Sequence, residues 1–172
     1  MKHLILAIAF SAALVGCTDK QGSSGNSTAE QQPPADVAAG KAFAERECKG
    51  CHGLDGRGAA PAIPNLAAQR ERYLLVSIDD YKEGRRTHAA LKEMARQMSE
   101  ADERNVVGYY ASLPPVAAEE GANAQVFLPY ENGKALASTC AKCHGEDGNP
   151  TTPGVPGIAG QQLRYLVVAV QE

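Results

Sequence analysis

Two thiols three positions apart, with an imidazole directly after the second, occur twice in this chain. The copies are Cys48-Lys49-Gly50-Cys51-His52 and Cys140-Ala141-Lys142-Cys143-His144. C-x-x-C-H is the attachment pattern of a c-type haem. The two intervening residues make one tight turn, so both sulfurs reach one porphyrin edge as thioethers while the His turns under the iron as its proximal ligand. Each copy continues His-Gly-x-Asp-Gly, with Gly53, Asp55 and Gly56 matched by Gly145, Asp147 and Gly148. A shared continuation makes coincidence a poor explanation. The pattern assigns Cys48, Cys51, Cys140 and Cys143 to two covalent c-type haems, and His52 and His144 to their irons.

Other uses of these residues fit less well. A structural zinc takes four Cys/His ligands from two well-separated pairs, and a His attached directly to C-x-x-C points poorly at the same ion. A thioredoxin-like C-x-x-C needs a βαβ setting, whereas the flanks here read as helical. Asp55 and Asp147 sit in Asp-Gly turns and are read as structural. Of five Cys, four lie in the motifs and Cys17 is left over, so no pair remains for a disulfide.

The elements around the motifs must be small. The chain has 172 residues, room for one or two domains. A net charge of −3 offers no basic field for nucleic acid. Aromatic residues make up 5% and Trp is absent, which is thin for an ordinary core. A covalently held porphyrin would supply the missing apolar bulk in two small domains that seldom fold well on side chains alone.

The front of the chain reads as an export signal. Lys2 and His3 precede an apolar run over 4–15, too short to span a membrane. Residues 1–17 end in Leu14-Val15-Gly16-Cys17, which resembles a bacterial lipobox in which Cys17 is lipidated and becomes the mature N-terminus. Residues 18–35 are polar, rich in Ser, Gly and Gln, and read as a flexible tether. Haem attachment to C-x-x-C-H takes place outside the cytoplasm, so both signals place the protein in the periplasm of a Gram-negative bacterium, anchored to the membrane by lipid.

A first domain is expected over 36–115. Asp36 is a natural N-cap for a helix over 37–47, with Gly40 and Phe43 on one face. The Gly/Pro-rich segment after His52 should wrap the haem edge, with Pro61 or Pro64 offering a carbonyl to His52 Nδ1. A helix over 70–82 carries Tyr73, Leu74, Ile78 and Tyr81 as a stripe, and a second helical stretch covers 89–98. Ser99 and Asp102 resemble a capping box for a last helix over 100–112, stopped by Pro114-Pro115. Val106, Val107, Tyr109 and Tyr110 should pack on Gly40 and Phe43.

This order of helix, C-x-x-C-H, Pro-rich loop, helices and a terminal Tyr-Tyr helix resembles class I cytochrome c. The HGxDG, PNLAAQRERYL, GRR and MSEAD…GYYASLPP segments look more closely like the diheme cytochromes of the c4 type. The resemblance implies an all-α fold of two tandem class I cytochrome c domains, two haems, and periplasmic electron transfer. It also implies an axial Met at the place held here by Leu91, which cannot bind iron. Met94 is the first candidate for the sixth ligand of the first haem, with Met98 and His88 as alternatives and a five-coordinate iron as the remaining possibility.

Shifted by 92, residues 48–80 lie on 140–172 without a gap, and 14 of the 33 positions are identical. They include Pro64/Pro156, Gln69/Gln161 and Arg72-Tyr73-Leu74/Arg164-Tyr165-Leu166. Upstream, Gly40-Lys41-Ala42 is echoed by Gly133-Lys134-Ala135. The second half, 126–172, is therefore a second copy joined by a linker over 116–125. It stops at the position of Asp80, so the second domain is expected to be truncated and the chain to be a truncated product or partial record. No Met or His follows His144 to serve its iron. Its domain is then expected to be less stable and more protease-sensitive than the first.

The leading expectation is an electron carrier feeding a terminal oxidase or another periplasmic redox protein, rather than an enzyme. The alternatives are the haem subunit of a larger dehydrogenase, and a peroxidase-like redox enzyme with an open iron site.

Overall fold

The computed structural model describes residues 33–117 and 130–171. The leader, Cys17, most of the tether and most of the linker lie outside them. Among the described residues there are seven helices and no strand: α1 (Val37–Glu47), α2 (Lys49–His52), α3 (Glu71–Glu83), α4 (Ala89–Gln97), α5 (Glu100–Ser112), α6 (Tyr130–His144) and α7 (Leu163–Ala169).

Local chemistry sets the helix ends. Asp36 accepts from Ala39 N–H to start α1, which satisfies one of the orphan donors of a first turn. Ser99 and Asp102 form a reciprocal capping box at the start of α5, as the sequence predicts. At the end of α3, Gly84 takes a left-handed conformation.

The core sits where α1 crosses α5. Phe43, Leu74, Met98, Val106, Val107, Tyr109 and Tyr110 are buried there together. Gly40 permits the crossing, because a Cβ at this position would lie 1.9 Å from Asn105 O. Asn105 Oδ1 also accepts from Asp36 N–H at 2.8 Å, which ties the start of α1 to α5. Lys82 donates to Glu103 and ties α3 to α5.

In the stripe read along α3, Leu74 is buried and Ile78 packs on the core. Tyr73 leaves it, its hydroxyl engaging Tyr165 of the second half.

Candidate haem-attachment sites

Each motif is held by a single turn of helix. In the first half, Cys51 N–H and His52 N–H both donate to Cys48 O, at 3.1 and 3.0 Å. Gly53, at φ +64, closes α2 with its N–H on Lys49 O. In the second half the same residues form the end of α6, and Gly145 N–H donates to Ala141 O at 2.9 Å.

The loop beyond each motif is also repeated. Leu66 and Ala67 N–H donate to Gly56 O, and Ile158 and Ala159 N–H donate to Gly148 O. A Cβ at Gly56 or Gly148 would meet the backbone of Ala67 or Ala159 at under 3 Å, so this turn needs glycine twice. Asp55 Oδ1 accepts from Arg57 N–H and Asp147 Oδ1 from Asn149 N–H. Both carboxylates are thereby spent on their turns, which fits their structural reading.

The loop delivers a carbonyl to each imidazole. His52 Nδ1 lies 3.1 Å from Pro64 O and His144 Nδ1 lies 2.9 Å from Pro156 O. A carbonyl only accepts, so the proton sits on Nδ1 and Nε2 is left with its lone pair. That is the tautomer a metal-binding His requires, with an outer partner of the usual kind. Burial, partly countered by the Pro64 contact, holds the His52 pKa below its ordinary value, and this favours the neutral ligand form.

The thiols suit attachment as well. Cys48, Cys51, Cys140 and Cys143 are all free. Burial, with the charge of Glu47 adding to it, pushes the Cys48 thiol up to about 11. A half-buried, uncharged sulfur at this position is compatible with a thioether. Among the described residues no three of His, Cys, Asp and Glu gather as a metal cluster. Two thiols and one imidazole with its Nδ1 on a proline carbonyl fit a covalently held haem in each half.

The two sites are joined by a contact that the sequence reading missed. Gln69 Nε2 donates to Gly157 O at 2.9 Å and its Oε1 accepts from Gly157 N–H at 2.8 Å. Gln161 does the same to residue 65, donating to Asn65 O at 3.0 Å and accepting from Asn65 N–H at 2.8 Å. Under the shift of 92, Gln69 maps on Gln161 and Asn65 on Gly157, so the halves clasp each other about a local pseudo-twofold axis. Each amide oxygen also accepts the N–H of its own next residue, Arg70 or Gln162. Asn65 Nδ2 adds a bond to Gly160 O at 2.8 Å, and Gln162 Nε2 one to Gly58 O at 2.9 Å. The signal was present, since Gln69/Gln161 is an identical pair, but identity does not say which backbone an amide will meet.

The three candidates for a sixth ligand lie in or beside α4, Met94 within it, Met98 as its C-cap and His88 as its N-cap. Met98 is buried in the core, Met94 is half-buried and packs against it, and Leu91 is half-buried. His88 is exposed and caps the helix, its Nδ1 accepting from Leu91 N–H at 3.3 Å.

The comparisons agree with this geometry. The profile of the cytochrome c family matches residues 37–114 and 130–172. The chain is 35% identical to cytochrome c4 of Pseudomonas aeruginosa over 136 residues, covering 76% of this chain and 67% of that protein. It is 29% identical over 135 residues to a thiosulfate dehydrogenase electron acceptor of Thiomonas intermedia, covering 72% of this chain and 61% of that one. The crystal structure of reduced recombinant cytochrome c4 from Pseudomonas stutzeri superposes with a TM-score of 0.66 at 27% identity, covering 80% of this chain and 79% of that chain. Repeated motifs, all-helical architecture and relatives converge: the chain belongs to the cytochrome c family, as a diheme electron-transfer protein of the cytochrome c4 type that carries covalently bound haem c and its iron.

Proposed function

We propose that the protein is a periplasmic electron carrier, held to the membrane through a lipid on Cys17 and passing single electrons to a terminal oxidase or another periplasmic redox protein. In this reading residues 1–17 are the leader, 18–35 the tether, 36–115 and 126–172 the haem domains and 116–125 the linker. Cys48 with Cys51, and Cys140 with Cys143, hold the two haems, and His52 and His144 are the proximal ligands.

When bound, haem supplies a one-electron ferrous/ferric couple whose potential answers to axial ligand, burial and hydrogen bonding. The chain's own residues do the rest. Pro64 and Pro156 keep the Nδ1 proton in place and orient each imidazole. Tyr110, buried against Cys48, donates to Gly53 O at 3.0 Å, and Tyr109 donates to Leu54 O at 2.6 Å, so α5 steadies the first attachment loop. The reciprocal glutamines keep the two sites in a fixed relation, as passage of an electron between them needs.

The observation that carries the proposal is the duplicated unit of two thiols and one imidazole with a free Nε2. Haem content of the matured protein tests it. Two haems per chain are expected, falling to one when Cys48 and Cys51, or Cys140 and Cys143, are changed to Ala. A count unaffected by either pair would sink the assignment. Cys17→Ala should move haem-staining protein from the membrane to the soluble periplasmic fraction.

A second reading is the electron-accepting haem partner of a larger dehydrogenase, favoured by the likeness to a relative named as an electron acceptor. Rapid reduction by such an enzyme, with slow oxidation by an oxidase, would select it.

A further inference from the structure

Given two haems held as proposed above, we infer that each clasping glutamine tunes the haem of the opposite half, Gln161 acting on the iron of His52 and Gln69 on that of His144. The route is one peptide unit long. Pro64 O receives the His52 Nδ1 proton at 3.1 Å. The N–H of that same peptide belongs to Asn65 and donates to Gln161 Oε1 at 2.8 Å. In the second half Pro156 O receives the His144 Nδ1 proton at 2.9 Å, and the N–H of its peptide, on Gly157, donates to Gln69 Oε1 at 2.8 Å. Both peptides are trans, so C=O and N–H point opposite ways and the two bonds run head to tail.

Such chains polarise their members. An N–H drawn toward an acceptor shifts electron density onto its own carbonyl through the amide resonance. That carbonyl then accepts the imidazole proton more strongly, by roughly 10–30% per bond in a chain. A stronger pull on Nδ1–H makes Nε2 a more basic ligand, which favours ferric over ferrous iron and lowers the potential. Each glutamine therefore holds down the potential of a site in the half to which it does not belong.

The glutamine oxygens are fixed in place for this. Gln69 Oε1 also accepts from Arg70 N–H and Gln161 Oε1 from Gln162 N–H, both at 2.9 Å. Asn65 and Gln69 are each 8% exposed, so little water competes for these bonds. Adhesion alone could use any backbone group of the other half. Here both glutamines meet the one peptide that holds an imidazole.

The test uses the full diheme chain in redox titrations followed by nuclear magnetic resonance, with haem-methyl signals assigned to each half through neighbouring residues. Gln161→Met keeps the side-chain length and removes the amide. It should raise the midpoint potential of the His52 haem, leave that of the His144 haem in place, and move the His52 Nδ1 proton signal toward weaker hydrogen bonding. Gln69→Met should do the reverse. If the glutamines only hold the halves together, losing either admits water to both sites. Water favours the more highly charged ferric state, so both midpoints would fall together, and the inference would be overturned. Unchanged midpoints, or a change confined to the glutamine's own half, overturn it as well. Gln161→Asn, one methylene short of Asn65, gives the same comparison should Gln161→Met mature poorly. Haem is counted in the same samples. Two haems with any of these contrary midpoints reject the tuning alone, and fewer than two in the wild type reject the attachment scheme beneath it.

Discussion

Phe43, which follows Gly40-Lys41-Ala42, is 7% exposed, whereas Leu136, which follows Gly133-Lys134-Ala135, is 71% exposed. Further on, Ile78 packs on the core while its counterpart Val170 is 83% exposed. The attachment loops show no such contrast, with matching turns on Gly56 and Gly148 and matching His–Pro contacts. The first half has α5 over α1, and among the described residues no helix covers α6 in that way. The loop geometry is therefore a local property of the repeated residues. Burial of the helices around it depends on elements distant in sequence.

Breaking the cover of the first half should have the largest effect. Gly40→Ala drives a methyl into the backbone of α5 at Asn105, and overpacking of this kind costs about 3 kcal/mol. Gly133→Ala, its counterpart, meets nothing within 4 Å. It should be neutral or stabilising by up to about 1 kcal/mol, as for any Gly→Ala change inside a helix. Thermal melts of the two variants compare the halves directly, and equal destabilisation would refute the contrast.

The clasp between the halves comes next. Gln69→Ala leaves the N–H and C=O of Gly157 without their amide partner, and Gln161→Ala does the same to Asn65. Each loss should cost about 2 kcal/mol, the scale for stranding buried polar groups. The local symmetry predicts similar single effects and a double variant whose total departs from their sum, because both glutamines clamp one interface. Denaturant melts measure that coupling, and small-angle scattering reports whether the halves separate.

Tyr110→Phe removes a buried hydroxyl from Gly53 O and should lower stability by about 1 kcal/mol. Hydrogen exchange should then rise at the first attachment loop and stay unchanged at the second.

The smallest effect concerns Lys82, whose pKa is raised, chiefly by its hydrogen bond to Glu103. A raised folded value means that the pair stabilises the fold fully below the unfolded lysine pKa, and that this is lost as pH rises through the folded one. The lysine is partly exposed, so solvent screening limits the contribution to under about 1 kcal/mol. Lys82→Met should abolish that alkaline dependence of the melting temperature without altering the second half.

Much of this molecule was legible in the residue order, because much of it is local. The turn that gathers two thiols and an imidazole, the Asp36 and Ser99 caps, the glycine-dependent turns and the stop at Pro114-Pro115 each involve groups a few positions apart. The duplication followed from the residues alone. Pro64 was one of two prolines that could serve His52, and folding chose between them because the Gly56 turn sets which carbonyl reaches Nδ1. Tyr73 looked like part of an apolar stripe, but its hydroxyl was drawn to Tyr165 of the other half. The glutamine clasp, the commitment of Met98 to the core and the exposure of His88 could be read only from the folded chain. The clasp joins residues up to 104 positions apart, and no periodicity or spacing records which backbone a distant amide will meet or which of three candidate donors the core will claim.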